Sequence, residues 1–153
     1  MMKTLFMETT KIAPEVTVSQ IQAILGRYGA KAIMTEYENR EVSAVSFQVD
    51  VAGQLVPFRL PCRWEAIEKV FHDRHGRRMP SNQQAESRRV QAKRVAWRQV
   101  LRWIEAQMAL VETNMVKVQE VFMPYMFLKS GKTLYEKIEQ TGFAQLEDKR
   151  GEK

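Results

Sequence analysis

The sequence is poor in cysteine and lacks long hydrophobic runs, and both shortages exclude classes of protein. Cys62 is the single cysteine, so an internal disulfide framework is excluded and a reducing compartment is expected. No stretch of about 18 apolar residues exists, which excludes an ordinary transmembrane helix. The first residues form a short apolar patch that ends at Glu8 and does not resemble a secretory signal. We therefore expect a cytoplasmic protein with no membrane partner.

Glycine and proline are also scarce, with seven and five residues, which excludes a fibrous or low-complexity chain. Hydrophobic residues make up 44% of the sequence and charged residues 27%, which is ordinary globular composition. A chain of 153 residues can bury roughly two-thirds of its unfolded surface. One domain spanning residues 1–153 is therefore predicted.

Acidic residues are scarce in one window of the chain. Between Arg63 and Arg102 there are eleven Lys or Arg and only four Asp or Glu, a local net charge of +7. The whole chain carries +6, so the remainder is −1. Nine of the eleven cations are Arg, whose guanidinium grips phosphate with two parallel hydrogen bonds. This asymmetry favours nucleic acid or another acidic partner.

The order of periodic segments predicts an α+β fold. Residues 17–73 are predicted to form a helix, a small three-stranded antiparallel sheet and a second helix (α-β-β-β-α). A loop at 74–83 precedes a helical part at 84–142, which begins with a long basic amphipathic helix followed by C-terminal helices. Residues 1–16 are expected to be loosely ordered.

Local signals place the boundaries of these elements. Thr17 or Ser19 is expected to cap the first helix. "VSAVSFQVDV" alternates as a strand with one buried face, and Gly53 suits a turn that needs positive φ. Pro57 lacks a backbone donor, so its strand is predicted to lie at a sheet edge or to be bulged.

The long helix has a continuous apolar face whose members recur at spacings of seven, four and three: Val90, Trp97, Leu101, Ile104, Met108 and Val111. Trp97 is expected in the core. Trp103 lies well away from that face, so it either packs on the sheet or a helix, which we favour, or stacks on a base. "MVKVQEVFMPYMFL" predicts a further helix that Pro124 kinks or ends.

A stripe of arginines lies beside this face. Arg94, Arg98 and Arg102 recur at every fourth residue and span about 12 Å, enough to meet several successive phosphates. We expect the nucleic-acid contacts to come from this helix and the preceding loop: Arg77, Arg78, Arg88, Arg89, Lys93, Arg94, Arg98 and Arg102. The alternative is an ordinary polar helix face that is only solvated.

No motif predicts catalysis, a metal or a cofactor. His72 and His75 have a spacing that suits a metal, but the sequence has no third histidine and surface histidines explain them better. Cys62 lacks a His–Asp arrangement that would make it a nucleophile. "SGKT" at 130–133 lacks the upstream glycine of a phosphate loop, so it is interpreted as a helix-entry turn. We expect a protein that is not an enzyme.

Four phrases, "TTKIAPEVTVSQIQAIL", "VPFRLP", "RVAWRQVLRWIEAQMALVE" and "EVFMPYM…GKTLYE", resemble a group of small phage, prophage and mobile-element proteins. The resemblance covers most of the chain and implies a mobile-element setting, with no activity attached. The order helix–three strands–helix also resembles the double-stranded RNA-binding domain. The chain departs from that domain where Trp64 and Glu65 follow Arg63.

Two hypotheses from different classes follow. The first is a non-enzymatic DNA- or RNA-binding accessory protein that contacts the phosphate backbone through the basic loop and helix. The second is a protein-interaction module, such as an inhibitor of a host defence complex, that joins a larger protein or nucleoprotein complex. Its docking or homo-oligomer surface would be the apolar run Val121 to Leu128.

Overall fold

The computed structural model describes residues 3–76 and 78–143. Within them, the predicted α+β architecture is confirmed. The elements are α1 (Pro14–Arg27), β1 (Ala30–Glu38), β2 (Glu41–Val51), β3 (Gln54–Pro61), α2 (Trp64–Arg74), α3 (Asn82–Glu112), α4 (Val118–Phe122), a 3-10 helix (Met123–Tyr125) and α5 (Leu134–Thr141).

The three strands form an antiparallel meander in the order β1-β2-β3, joined by two-residue turns. Asn39 and Arg40 have φ values of 51° and 67°, and Ala52 and Gly53 have 53° and 83°. Positive φ at both central residues matches the right-handed twist of a hairpin. The second turn is closed by the N–H of Gly53, which donates to Asp50 Oδ1 at 2.8 Å.

One face of the sheet is buried beneath α1 and α3. The cross-strand neighbours Phe47 and Phe58 stack at 5.4 Å between ring centroids. Val45 and Leu60 are a second buried pair on this face. The alternating pattern of β2 therefore identified the face that carries the core.

Pro57 lies at the sheet edge, as the sequence predicts. The N–H of Phe127 donates to the carbonyl oxygen of Pro57 at 2.8 Å, from the side opposite β2. The N and O of one strand residue point the same way, so the missing N–H of Pro57 also faces away from β2. A bridge from Met126 to Phe58 covers this edge, and Phe127 in turn bridges to Thr133.

Helix α3 has defined ends. Ser81 and Gln84 form a capping box at its start, each side chain accepting the other residue's backbone N–H. Thr113 caps its C-terminus, and Asn114 follows with φ of 59°. Asparagine tolerates positive φ, so Asn114 suits the residue that ends the helix.

The predicted cap of α1 is wrong. The helix begins at Pro14, whose fixed φ suits the first helical position, and Ala13 is the N-cap. Thr17 is fully buried inside the helix, and Ser19 lies a turn beyond the start. Pro14 is the sequence signal for this start, because proline is favoured at the first helical position.

Residues 3–13 are better ordered than expected, because they lie across α2 and α3 and are held by side chains. The Arg74 guanidinium pairs with Glu8 and donates to the Lys3 carbonyl at 2.6 Å. Gln91 Nε2 donates to the carbonyls of Glu8 and Thr10, both at 2.8 Å. These contacts join positions far apart in sequence, so no local pattern predicts them.

Val90 was expected in the core but is 37% exposed. The cluster that packs on the sheet starts at Ala96 and Trp97, one heptad after Val90. Earlier in α3 the buried positions are Ala92 and Val95, which pack with Phe71 of α2. The neighbours of α3 change along its length, so its buried face changes with them.

The expected docking surface at Val121 to Leu128 contributes to the core instead. Helix α4 ends at Phe122, before Pro124, as the sequence predicts. Phe122 is fully buried and packs edge-on against Phe47, with 5.3 Å between the ring centroids. Val121, Tyr125 and Met126 pack partly buried against the same core.

Candidate nucleic-acid interface

The expected stripe of three arginines on α3 does not form a continuous exposed surface. Arg98, its middle member, is only 5% exposed. Its Nη1 donates to Gln20 Oε1 at 2.5 Å and to Thr17 Oγ1 at 3.5 Å. Arg98 therefore belongs to the interface between α1 and α3. The expectation that it contacts phosphate is wrong, because its side chain is buried.

The other two arginines of the stripe, Arg94 and Arg102, lie beside acidic side chains. Arg102 Nη1 donates to Glu105 Oε2 at 2.8 Å, one turn along the same helix. Arg94 is partly exposed and lines a groove that also contains Glu15 and Glu41. Acidic side chains beside both arginines weaken the positive potential on this side of α3.

Lys93 is held by two partners. Its ammonium pairs with Glu41 and lies over the Trp64 ring at 4.6 Å from the centroid. Only 18% of its side chain is exposed. The contact gives Trp64 a structural role, because a tryptophan face attracts a cation. Lys93 acts mainly as a link between β2, α2 and α3.

Three other cations that were expected at the interface, Arg78, Arg88 and Arg89, line a concave region that we call the α2–α3 cleft. It consists of two cavities that share Arg88 and Pro80. The first cavity, of about 260 Å³, lies between the two helices and is lined further by Glu65, Glu68, Lys69, His72, Ala85 and Arg89. The second, of about 660 Å³, lies at the start of α3 and is lined further by His75, Arg78, Met79, Ser81 and Gln84.

Arg88 is the central residue of this cleft. Its Nη1 atom is inaccessible to water and has no hydrogen-bond partner among the described residues. A buried donor without a partner costs about 1–3 kcal/mol, so this arrangement is unfavourable in the free protein. Water cannot touch this atom, so an acceptor oxygen can reach it only after the guanidinium turns toward the cleft.

Arg89 and Arg78 flank Arg88 on the two sides of the cleft. Arg89 forms ion pairs with Glu68 at 3.6 Å and Glu86 at 3.2 Å, and 48% of its side chain is exposed. Exposed pairs of this kind contribute only about 0–1 kcal/mol, so an incoming anion can compete with them. Arg78 is exposed on the loop before α3.

The cleft carries an excess of positive charge. Four Lys or Arg and two Glu line its two cavities, together with both histidines of the chain. Lys69, His72 and His75 were not expected at the interface. Glu65, Glu68, Lys69 and His72 share one face of α2 at helical spacing, and this periodicity was visible in the sequence.

The other chemical candidates do not form sites within the described residues. His72 and His75 belong to no group of three potential metal ligands there. Burial, assisted by the nearby Glu65 carboxylate, raises the pKa of the Cys62 thiol to about 12, which keeps it protonated and unreactive. Thr133 of the SGKT segment caps α5, consistent with a helix-entry turn. Arg77, also expected at the interface, lies outside the described residues.

Fold and cleft together define a basic α+β protein with a cationic concave site between two helices. Comparison with protein families, curated proteins and solved structures found no match to this chain. Across the described residues, no helix is both long and apolar enough to cross a membrane.

Proposed function

We propose that this protein binds nucleic acid without catalysing a reaction, as an accessory protein of a phage or mobile element, and that the α2–α3 cleft contacts the phosphates. The observation that carries the proposal is the excess of positive charge in this cleft, where Arg78, Arg88 and Arg89 line two adjoining cavities. Phosphate oxygens supply both hydrogen-bond acceptors and the compensating negative charge.

The chemistry of the cleft suits phosphate, whose several oxygens can accept hydrogen bonds from more than one arginine. Hydrogen bonds to charged partners contribute about 1.5–3 kcal/mol each, and a guanidinium matches phosphate with two parallel donors. Arg78, Arg88 and Arg89 present three such groups around one concavity. Contacts to phosphate carry no base information, so binding should tolerate many sequences.

Binding can be tested by fluorescence anisotropy with labelled single-stranded and duplex oligonucleotides at several salt concentrations. Three phosphate contacts predict that log K falls against log salt with a slope of about −2 for a single strand. The variants Arg78→Glu and Arg88→Glu should weaken binding. Lys129→Glu serves as the matched control, since Lys129 is exposed, lies outside the cleft and gives the same change in charge.

Two results would overturn the proposal. One is an affinity that stays flat between low and physiological salt. The other is an equal loss of binding in Lys129→Glu and in the cleft variants, which would show that only net charge matters. Melting temperatures of all variants establish that each is folded.

The alternative is a protein-interaction module. The segment expected to be its docking surface is not free, because Phe122 is buried in the core. An acidic protein would have to use the same cationic cleft. Purification from phage-infected or element-carrying cells, before and after nuclease treatment, separates the two. A partner that the wild type retains after nuclease, and Arg88→Glu loses, favours the alternative.

A further inference from the structure

Strand β1 forms an uncovered edge of the sheet. The order β1-β2-β3 leaves β1 and β3 with one outer side each, and the segment that contains Met126 and Phe127 covers the outer side of β3. Among the described residues, no segment bridges to the outer side of β1. Its nine residues include no proline, whereas β3 contains two. An uncovered edge of this kind presents backbone donors and acceptors to another strand.

The pairing of the three strands shows which backbone groups of β1 point outward. The N and O of Pro57 face away from β2, so those of Gln48, which lies opposite Pro57, point toward β1. Gln48 lies opposite Ala32, so the backbone groups of Ala32 point toward β2. Directions alternate along a strand. The N–H and C=O groups of Ile33 and Thr35 therefore point away from the sheet.

The middle of β1, residues 32–36, is suited to pairing with another strand. It lies between the two register shifts of β1, so its pairing with β2 is regular. Met34 at its centre is 55% exposed, on the face of the sheet opposite the core. Its one charged residue, Glu36, is already paired with Arg59 of β3 at 2.7 Å. This stretch therefore has no proline and no unpaired charge to prevent the approach of another strand.

The charges at the two ends of β1 are complementary to each other. Lys31 lies near its start and Glu38 at its end, and both are exposed. Neither has an ion-pair partner among the described residues. An antiparallel strand of the same sequence brings Lys31 of each copy to the end that carries Glu38 of the other, so opposite charges meet at both ends. A second copy of this chain therefore fits the edge of β1.

We propose that β1 pairs antiparallel with β1 of a second copy of this chain, about a two-fold axis perpendicular to the sheet at Met34. Ile33 of each copy then exchanges two backbone hydrogen bonds with Thr35 of the other, and the two Met34 side chains lie opposite each other. The outer edges of the joined sheet are the covered edges of β3, so the assembly closes at two copies. This inference is independent of the proposed nucleic-acid binding.

The oligomeric state of the full chain tests the proposal directly. An interface confined to one strand edge is small, so the dimer should be weak and depend on concentration. Sedimentation velocity without nucleic acid, from about 1 μM to about 1 mM protein, should show monomer converting to dimer and no larger species. Physiological salt limits the repulsion between two chains that each carry +6. A wild type that stays monomeric throughout this range overturns the proposal.

Variants at Met34 test whether β1 is the interface. Met34→Glu should raise the Kd of the dimer about tenfold or more, because it places two carboxylates opposite each other. Met115→Glu is the matched control, since Met115 is 70% exposed and lies outside the sheet, and it should leave the Kd unchanged. Melting temperatures establish that both variants are folded. A dimer that Met34→Glu leaves intact shows that the copies meet elsewhere and overturns the proposal.

A cysteine at position 34 tests the register of the pair. Cα atoms of residues opposite each other in a pair without hydrogen bonds are about 4.5 Å apart, within the range of a disulfide. Under mild oxidation, Met34→Cys should form a covalent dimer about tenfold or more faster than Met115→Cys. The wild type should form none, because Cys62 is buried. Equal rates for the two variants overturn the proposed register and the proposal with it.

Discussion

Arg98 of α3 and Gln20 of α1 are joined by a hydrogen bond of 2.5 Å from Nη1 to Oε1. The guanidinium that helical periodicity places between Arg94 and Arg102 therefore links two helices. The Arg98 side chain is enclosed while its i±4 neighbours remain partly exposed. Arg98 therefore stabilises the fold and is not available to a ligand.

Replacing Arg98 should affect stability, whereas replacing Arg102 should not. Arg98→Ala leaves a cavity and removes the guanidinium that donates hydrogen bonds to Gln20 and Thr17. We therefore expect the free energy of unfolding to fall by about 2–3 kcal/mol. Arg102→Ala removes an exposed ion pair and should cost below about 1 kcal/mol. Urea denaturation measures both, and similar losses would contradict the assignment.

Replacing Arg88 should stabilise the protein while weakening its binding. Arg88→Leu removes the unpartnered donor, so the free energy of unfolding should rise by about 1 kcal/mol. Thermal denaturation of the free protein and anisotropy with an oligonucleotide give the two readouts. A variant that loses stability would indicate that Arg88 has a structural role, and Arg89→Leu provides the comparison on the same helix.

Phe122 should behave as a core residue and its neighbour Met123 as a surface residue. Phe122 contacts Phe47 and Trp103 edge-on, so Phe122→Ala should cost about 3–5 kcal/mol. Met123 is 48% exposed, and Met123→Ala should cost less than about 1 kcal/mol. Denaturant titration compares them, and nearly equal costs would contradict the placement of Phe122 in the core.

Cys62 should make stability depend on alkaline pH. Its pKa is raised from an ordinary 9.0 to about 12, so the unfolded chain ionises first as pH rises. The contribution of the buried thiol to the free energy of unfolding is fully present below about pH 9 and is lost between about pH 9 and pH 12.

The difference in unfolding free energy between the wild type and Cys62→Ala should therefore shrink over that interval. Comparing the two proteins cancels the titration of lysines and tyrosines. A thiol reagent at pH 8 should label Cys62 only after denaturant is added, because the folded side chain is 7% exposed. Rapid labelling of the native protein would contradict the burial.

Features governed by local chemistry were predictable from the sequence. The strands followed from alternation, the turn at Gly53 from its tolerance of positive φ, and the edge position of Pro57 from its missing donor. The position of Trp97 in the core followed from helical periodicity. Trp103 packs on Phe122 and Tyr125, as favoured over stacking on a base.

The candidate site was only partly predictable from the sequence. Helical spacing gives the direction in which a side chain leaves its helix, but it does not give the residues that the side chain meets. Arg98 faces α1, Lys93 meets Trp64, and Arg88 faces the cleft beside α2. The sequence by itself determined the elements and the window that holds the positive charge. The tertiary structure decided which cations remain available, because burial and pairing depend on neighbours that are distant along the chain.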